Sequence, residues 1–409
     1  MKVFITIICW CFVLYTNGQR CSMIGNAKQF NLSISSVESG EKVISNGRDT
    51  LKDEVIVIPV VVHVLYHNSA QNISDEQVLS QLLVLNNDYR KMNADTLNTP
   101  GAFKNIAADT RIVFCIAKVD PNGRYTTGII HKYTNEELFL SDDEMKLSAT
   151  GGDDAWDSKK YLNIWVCNLF GRTLGYGVLP GGAANKDGVV IQYDVFGTTG
   201  NVNAPFNKGR TATHEIGHWL GLRHLWGDGV CGDDGVSDTP PQQTNNSNCP
   251  VFPHLSSCSE NFYGDMFMNY MDFTNDACMN MFTQGQKNKM RSLFALGGAR
   301  NSFLSSAVCD SSLAQAGPLP ADTAVSTNDI AVYPNPFTNQ VTISSKNGAD
   351  AVVKTARIYD ITGKLFLLQT LQSQKTSLIL NGLPKGIYIL KIDGGNRTHI
   401  FKLIKQSSL

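Results

Sequence analysis

Runs of β-branched residues and a helical repeat of apolar positions predict an α/β arrangement for the longer, N-terminal part of the chain. Residues 54–65 carry valine and isoleucine at consecutive positions, which is typical of a strand buried on both faces. Ser74 precedes two acidic residues and an apolar repeat that reaches Tyr89, so a helix with Ser74 as N-cap is predicted. Its core face is predicted to hold Val78, Leu79, Leu82, Leu83 and Leu85.

Shorter apolar runs predict three further strands, at residues 111–117, 161–169 and 188–193. The glycine-rich residues 175–182 are expected to form an edge strand. An extended peptide can lie over such an edge, because the strand satisfies the hydrogen bonds of the peptide backbone.

Two more helices are predicted further along the chain. One covers residues 211–220, and the other begins after an N-cap at Thr283 and extends to about residue 296. Two of the predicted strands carry one cysteine each. Cys115 and Cys167 are expected to be small core residues, with a disulfide as the alternative.

The last part of the chain, residues 328–409, changes to short alternating strands separated by turns that contain proline, glycine and asparagine. This pattern predicts a small all-β sandwich without a chemical motif of its own. The small and polar residues 310–327 before it are expected to be a linker. Strands are predicted at residues 330–333, 340–343, 356–360, 376–380, 386–392 and 399–403.

The composition is that of a globular protein, with 409 residues, 42% hydrophobic residues and a net charge of −1. No long basic run occurs, which argues against nucleic acid as a partner. Lys2 and the short apolar run after it mark residues 1–18 as a secretory signal peptide. We therefore expect an exported protein in which disulfides form, with no integral membrane segment after signal removal.

One stretch of the chain carries a metal-binding pattern of the form H-E-x-x-H-x-x-G-x-x-H. His214 and His218 are four residues apart, so on a helix they share one face. Gly221 allows the helix to end, and His224 can then return as a third ligand. Three imidazoles leave the fourth zinc position open, which is typical of a catalytic site. Glu215 is the candidate general base for a water whose pKa the zinc lowers to about 7.

This pattern, followed downstream by Met271, resembles the metzincin zinc peptidases. The neighbouring residues 209–213 and 278–283 are similar to those of the pappalysin family, and the resemblance covers residues 55–300. It implies an α/β metzincin catalytic domain over residues 51–309. That domain would have a twisted mixed sheet, two main helices and an irregular, disulfide-tied C-terminal subdomain. Met271 is expected in a turn beneath the metal.

Four cysteines follow the zinc motif closely. The residues alone allow three pairings and do not choose between them. The pappalysin resemblance implies that Cys231 pairs with Cys258 and that Cys249 pairs with Cys278. These bonds would stabilise a segment with few regular elements.

Carboxylates and glycines cluster at residues 233–240, a composition that suits a hard cation such as Ca²⁺. By the resemblance, Asp234 and Thr239 supply oxygen ligands to calcium, together with backbone carbonyls such as that of Val236. The alternative is a solvated acidic turn.

Cys21 lies in the polar and irregular residues 19–50, which we interpret as a pro-segment. A thiolate is a strong zinc ligand, and the resemblance implies that Cys21 occupies the fourth zinc position and keeps the enzyme latent. Arg48, in a predicted exposed turn, is the expected processing site. The alternative for Cys21 is a disulfide with Cys115, Cys167 or Cys309.

The sequence departs from the family pattern at two positions. Phe273 stands where a tyrosine commonly helps to stabilise the oxyanion, and loss of such a donor costs roughly a hundredfold in rate. Tyr270 lies nearby in sequence. Ala277 stands where arginine-preferring members carry an acidic residue, and Asp276 comes one position earlier. Preference for arginine is therefore left open.

The segments at residues 333–336 and 383–388 resemble the type IX secretion sorting domain. That resemblance implies a partner in the outer-membrane secretion machinery. It also implies a secreted or cell-surface location, reached through the periplasm and outer membrane. A carbohydrate- or surface-binding module is the alternative for residues 328–409.

These features together predict a secreted zinc endopeptidase that is made as a latent zymogen and acts on proteins or peptides. The alternative is a weakly active zinc-binding homologue that serves as a surface interaction protein. Phe273 keeps that alternative open, because phenylalanine has no hydroxyl to donate.

Overall fold

The computed structural model describes Cys21 and most of the chain from residue 54 onward. The described ranges are 54–258, 261–310, 330–345, 354–360, 365–371, 373, 375–394 and 397–406. Four predicted features lie outside the described residues. They are the signal peptide, the pro-segment apart from Cys21, the processing site Arg48 and the linker beyond Asp310. The chain divides between residues 316 and 317 into two compact units.

The first unit is built on a six-stranded sheet in the order β2-β1-β4-β6-β5. β3 pairs with the second half of β1, which is long enough to pair with β2 along its first half. All pairs are parallel except β5, which runs antiparallel to β6. The strands are β1 (Ile56–Tyr66), β2 (Ile112–Ile116), β3 (Ile129–Tyr133), β4 (Leu162–Cys167), β5 (Gly175–Gly177) and β6 (Gly188–Gln192).

The α-helices of this unit are α1 (Asp75–Tyr89), α2 (Arg210–Trp219) and α3 (Gln284–Ser292). α1 begins after Ser74, whose side chain accepts a hydrogen bond from the Gln77 amide, as the sequence predicts. α3 begins with a capping box on Thr283. α2 packs against β5, β6 and α1, and α1 packs against β2, so the predicted zinc helix and α1 lie side by side on the sheet.

The predicted core face of α1 is partly wrong. Leu79 is 43% exposed, whereas Gln77 and Gln81 are buried. Both glutamines donate to backbone carbonyls of an irregular segment, Gln77 to Phe196 at 2.9 Å and Gln81 to Gly209 at 2.9 Å. The buried backbone of that segment needs hydrogen-bond partners, and two amides on α1 supply them.

Three disulfides are formed among the described cysteines. Cys231 pairs with Cys258 and Cys249 pairs with Cys278, which are the pairs that the family resemblance implied. The expectation that Cys115 is a core residue is wrong, because it forms a disulfide with Cys309. This bond ties β2 to the end of the first unit, 194 residues away in sequence.

The second unit consists of two antiparallel sheets, in the orders β10-β9-β12-β13 and β11-β8-β7. Side chains from both sheets share one apolar core, which includes Val341, Ile343, Ile358 and Leu390. This arrangement is the predicted β-sandwich. Its strands are β7 (Ile330–Tyr333), β8 (Gln340–Ser345), β9 (Lys354–Asp360), β10 (Leu365–Leu371), β11 (Lys375–Ile379), β12 (Gly386–Gly394) and β13 (Arg397–Lys405).

Candidate metal centre

The helix α2 ends shortly before Gly221. Gly221 has a φ of +82°, and its amide donates to the carbonyl of His218 at 2.8 Å. Leu222 follows and donates to the carbonyl of Gly217 at 3.0 Å. A left-handed residue of this kind ends a helix and reverses the chain. The reversal brings His224 back to the face of α2 that carries the other two histidines.

The three histidine side chains converge on one point. The Nε2 atom of His218 lies 3.0 Å from Nε2 of His214 and 3.1 Å from Nε2 of His224. All three rings are buried, with at most 4% of the residue exposed. Tetrahedral zinc with Zn–N bonds of about 2.0–2.1 Å places its nitrogen ligands about 3.3 Å apart, so the observed spacing fits that ion.

The other ring nitrogens of the two helix histidines face hydrogen-bond acceptors. Nδ1 of His214 lies 2.7 Å from the carbonyl oxygen of Tyr270, and Nδ1 of His218 lies 2.9 Å from that of Leu222. A carbonyl only accepts, so Nδ1 carries the proton and Nε2 keeps its lone pair. Burial first, and then the neighbouring His224, lowers the pKa of His218 to about 3, so this ring is neutral near pH 7.

The third histidine has a different partner. Nδ1 of His224 lies 2.5 Å from Oδ1 of Asp228. Burial alone would raise the pKa of Asp228, but its hydrogen bond with the His224 ring and weaker electrostatic effects together outweigh burial and lower it. Asp228 is thus ionised and accepts the Nδ1 proton. Three buried lone pairs that face one another repel without a cation, so the donor set fits a metal.

Glu215 and Cys21 complete this cluster. Glu215 is buried beside His214, and the Sγ atom of Cys21 lies 3.3 Å from its Oε2. One ligand atom from Cys21 and from each of the three histidines lies within 4.8 Å of the others. The alternative of a disulfide to Cys21 is contradicted, because Cys115 and Cys309 bond to each other and Cys167 is a buried thiol.

The edge strand β5 lies directly against this cluster. A Cβ atom at Gly177 would approach the carbonyl oxygen of Glu215 to 2.5 Å and Cβ of His218 to 3.2 Å. Only glycine lets the strand come so close to α2. On the opposite side of the strand, the hydroxyl of buried Tyr176 donates to Oδ1 of Asp143 at 3.0 Å.

Comparison with known proteins identifies the family. Residues 148–295 match the family model described as pregnancy-associated plasma protein-A, which is a peptidase family. Mature mirolysin from Tannerella forsythia, solved with a cleaved peptide, is 53% identical, with a TM-score of 0.60 over 61% of this chain and 96% of its own. The chain belongs to the pappalysin family of peptidases. A mutant of promirolysin from the same organism is 52% identical, with a TM-score of 0.61 over 62% of this chain and 85% of its own.

The match to a fungal relative covers a shorter part of this pappalysin than the match to mirolysin does. Extracellular metalloprotease 1 of Coccidioides posadasii is 43% identical over 141 residues, which are 32% of this chain and 49% of the relative. The chain thus spans about half the length of the curated relatives that it first matches.

The C-terminal residues of this pappalysin match a second family. Residues 331–406 match the secretion system C-terminal sorting domain. With the extracellular metalloproteases among its relatives, this match shows that the protein is secreted or held at the cell surface. Within the described part of the chain, we find no helix with the length and hydrophobicity needed to cross a membrane.

Met271 of this pappalysin packs against α2. It is fully buried, and its amide donates to Oδ1 of Asn269 at 2.9 Å. A Cβ atom at Gly217 would lie 2.5 Å from the Met271 sulfur. Gly217 therefore lets the methionine pack against α2 between the two helix histidines.

Phe273 contributes an aromatic ring to the site but no hydroxyl. Its ring centroid lies 4.8 Å from that of His224 and 5.6 Å from that of His214. Tyr270 does not replace the missing hydroxyl, because its own accepts a hydrogen bond from Nη1 of Arg210 at 2.9 Å.

Asp276 serves the start of α2. It is fully buried, and its Oδ2 accepts hydrogen bonds from the backbone amides of Lys208 at 2.8 Å and Arg210 at 3.2 Å. A carboxylate at this end satisfies amides that the helix leaves open. Ala277 is exposed.

The predicted calcium residues also lie together. Oγ1 of Thr239 is 2.9 and 3.0 Å from the two carboxylate oxygens of Asp234 and 2.7 Å from the carbonyl oxygen of Val236. A hydroxyl has one proton, so most of these oxygens face it without a proton between them. Burial raises the pKa of Asp234 to about 6, against the effect of these hydrogen bonds. Such a group of oxygens fits a hard cation.

Sequence reasoning missed the partners of the histidines. Asp228 stands four residues after the last histidine, and that spacing was the available signal. Trp226, whose ring stacks on His224 at 4.5 Å, was not singled out either. The carbonyls of Tyr270 and Leu222 could not be found, since a sequence does not show which carbonyls are left unpaired.

The contact between Gly217 and Met271 yields a prediction. In an open helix, glycine to alanine stabilises by up to about 1 kcal/mol. We expect Gly217→Ala instead to lower the free energy of unfolding by about 1–3 kcal/mol, because its Cβ meets the methionine sulfur. Denaturant unfolding measures this difference. Gly229→Ala is the control, since nothing lies within 4 Å of its Cβ position. A stabilised Gly217→Ala variant would contradict the packing.

Proposed function

We propose that this chain is the latent precursor of a secreted zinc endopeptidase. The observation that carries the proposal is the convergence of three Nε2 atoms with the Cys21 thiol, which lies 3.3 Å from Oε2 of Glu215. The peptidase family supports the reaction class, and the extracellular relatives support the place where it acts. Proteins or peptides are the proposed substrates.

The residues of the site divide the chemistry between them. His214, His218 and His224 would hold a zinc ion through Nε2. A bound zinc ion supplies Lewis acidity that makes a water molecule nucleophilic near neutral pH. Glu215 accepts a proton from that water as its oxygen bonds to the peptide carbonyl carbon. The same carboxyl group then gives the proton to the amine nitrogen as the C–N bond breaks.

The edge strand is the proposed platform for the substrate backbone. β5 is the last strand in its sheet, and among the described residues no strand pairs with its other edge, where an extended peptide could lie. Gly175 and Gly177 keep that edge close to α2 and therefore to the reacting atoms. Asp276 gives no support to a preference for arginine, because its carboxylate already binds the backbone at the start of α2.

Latency is proposed to come from Cys21. Its thiol lies close to the three histidines and would take the zinc position that water would fill in the active enzyme. It also lies at hydrogen-bond distance from the proposed general base. The proposed chain organisation is signal peptide 1–18, pro-segment 19–50, catalytic domain 51–309, linker 310–327 and sorting domain 328–409. The sorting domain is proposed to engage the outer-membrane secretion machinery.

Calcium is proposed as a second, structural ion at Asp234 and Thr239. The buried oxygen group described above supports it, while the ammonium of Lys289, which donates to the Asp234 carbonyl at 2.7 Å, opposes it. A melting temperature that does not respond to calcium, with zinc kept bound, would refute this site.

A second function is favoured by Phe273. Without a tyrosine hydroxyl at the site, the chain would be a weakly active zinc-binding protein that acts by interaction at the cell surface. The experiment on Glu215 distinguishes the two functions.

Glu215→Ala, made in the form without residues 19–50, should lower kcat/KM on an unfolded protein by about 10²–10⁴-fold, because a general base is removed. Zinc content should stay unchanged. Glu137→Ala, which changes an exposed glutamate of the same domain, is the control. Cleavage by Glu215→Ala at the wild-type rate contradicts its role. If wild type and both variants bind zinc but cleave nothing, the interaction protein is the better description.

Cys21→Ala should make the unprocessed chain active, since no thiol then fills the zinc corner. We expect the variant to cleave peptides without prior removal of residues 19–50. Wild type should cleave them only after those residues are removed. The control is Cys167→Ala, which removes a buried thiol within β4, away from the site. If the unprocessed Cys21→Ala variant remains latent, the proposed role of Cys21 is wrong.

A further inference from the structure

Asp228 lies outside the zinc-binding motif, in the loop that follows its last histidine. Its Oδ1 atom is 2.5 Å from Nδ1 of His224, and its side chain is 35% exposed. The shortness of this contact and the charge of the acceptor distinguish it from an incidental surface pair.

The three histidines are oriented by unequal partners. His214 and His218 lie on α2 and direct Nδ1 to backbone carbonyls. Those carbonyls belong to packed backbone and need no dedicated side chain. His224 lies beyond the helix, after the turn at Gly221, and its Nδ1 faces a carboxylate. His224, which does not lie on a helix, is thus the ligand whose Nδ1 faces a charged acceptor.

The loop backbone is shaped to bring this carboxylate to the ring. Gly227 and Asp228 have φ values of +57° and +59°, and the Gly227 amide donates to the His224 carbonyl at 2.9 Å. A Cβ atom at Gly227 would lie 2.6 Å from backbone atoms of Asp233. Aspartate is among the few residues that tolerate a left-handed conformation. Three residues later, the disulfide of Cys231 fixes the loop.

Two aromatic rings restrict His224 but do not fix its direction. Trp226 stacks on it with centroids 4.5 Å apart and planes at 4°, and Phe273 meets it edge-on. Stacking holds the plane of a ring, but a half-turn about the Cβ–Cγ bond keeps that plane and exchanges the positions of nitrogen and carbon. A hydrogen bond at Nδ1 fixes this remaining direction and therefore the line along which Nε2 points.

We propose that Asp228 is a positioning residue for the third zinc ligand. Its carboxylate holds His224 in the tautomer with the proton on Nδ1 and aims the Nε2 lone pair at the metal. It also makes that nitrogen a stronger donor, as a carboxylate partner does for metal-bound histidines. This inference rests on the proposed zinc site and adds to it a residue on which metal affinity depends.

The test measures zinc affinity by competition with a chromogenic chelator, on the full chain with Cys21→Ala as background, so that no thiol competes. Asp228→Ala should raise the zinc dissociation constant by about 10–100-fold. Asp228→Asn should raise it less, because the amide oxygen still accepts from Nδ1 but carries no charge. Asp233→Asn, five residues along the same loop and exposed, should leave it unchanged.

The melting temperature of the zinc-free variants separates positioning from a structural role. We expect zinc-free Asp228→Asn, whose side chain also tolerates the left-handed φ of +59°, and its background to melt within a degree or two of each other, while their zinc affinities differ. Affinities of both Asp228 variants equal to that of the background overturn the inference. So does a loss of affinity in Asp228→Ala that is matched by Asp233→Asn. If Asp228→Ala fails to fold, Asp228→Asn decides by the same comparison. A background chain that binds no zinc refutes the zinc site itself, which is a different result.

Discussion

Three imidazole nitrogens that point at one buried position impose the main constraint on this protein. Each has its second nitrogen bound to an acceptor, so none can relieve the mutual repulsion by turning its proton inward. A cation at the centre converts that repulsion into attraction. The surrounding structure therefore has to hold three rings in an arrangement that is unfavourable until a metal binds.

Much of the packing around α2 follows from this constraint. Gly221 turns the chain so that His224 returns, Gly217 admits the Met271 sulfur from one side, and Gly177 admits the edge strand from another. Asp276 satisfies the first amides of α2. A cluster of Arg210, Asp88 and Tyr270 then connects α1, α2 and the segment of Met271 in the buried interior, with Arg210 3.2 Å from Asp88. The rigidity of the metal site thus depends on three elements that are far apart in sequence.

The sequence predicted which side chains come together at the site better than it predicted the residues that position them. Spacing identified the histidines, because a helix places His214 and His218 on one face and a turn at Gly221 lets His224 return. Glu215 was identified by its place in the motif. The capped helix at Ser74 and the buried strand β1 were equally readable from local pattern. The family resemblance supplied Met271, Cys21 and the two disulfides after the motif.

What could not be predicted depends on contacts between distant segments. The buried glutamines of α1 look like surface residues until the backbone they bind is in place. Cys115 meets Cys309 only once the sheet has formed, and β3 depends on pairing with β1. Asp228 acts through a loop whose left-handed residues no local pattern announced.

The zinc content of the purified full chain tests this account most directly. Elemental analysis of protein prepared without chelators should find about one zinc ion per chain, since the three imidazoles and the Cys21 thiol together make one four-ligand site. The same preparation of His218→Ala should lose most of it. Wild-type protein that is free of metal, or a His218→Ala variant that keeps its zinc, would contradict the account.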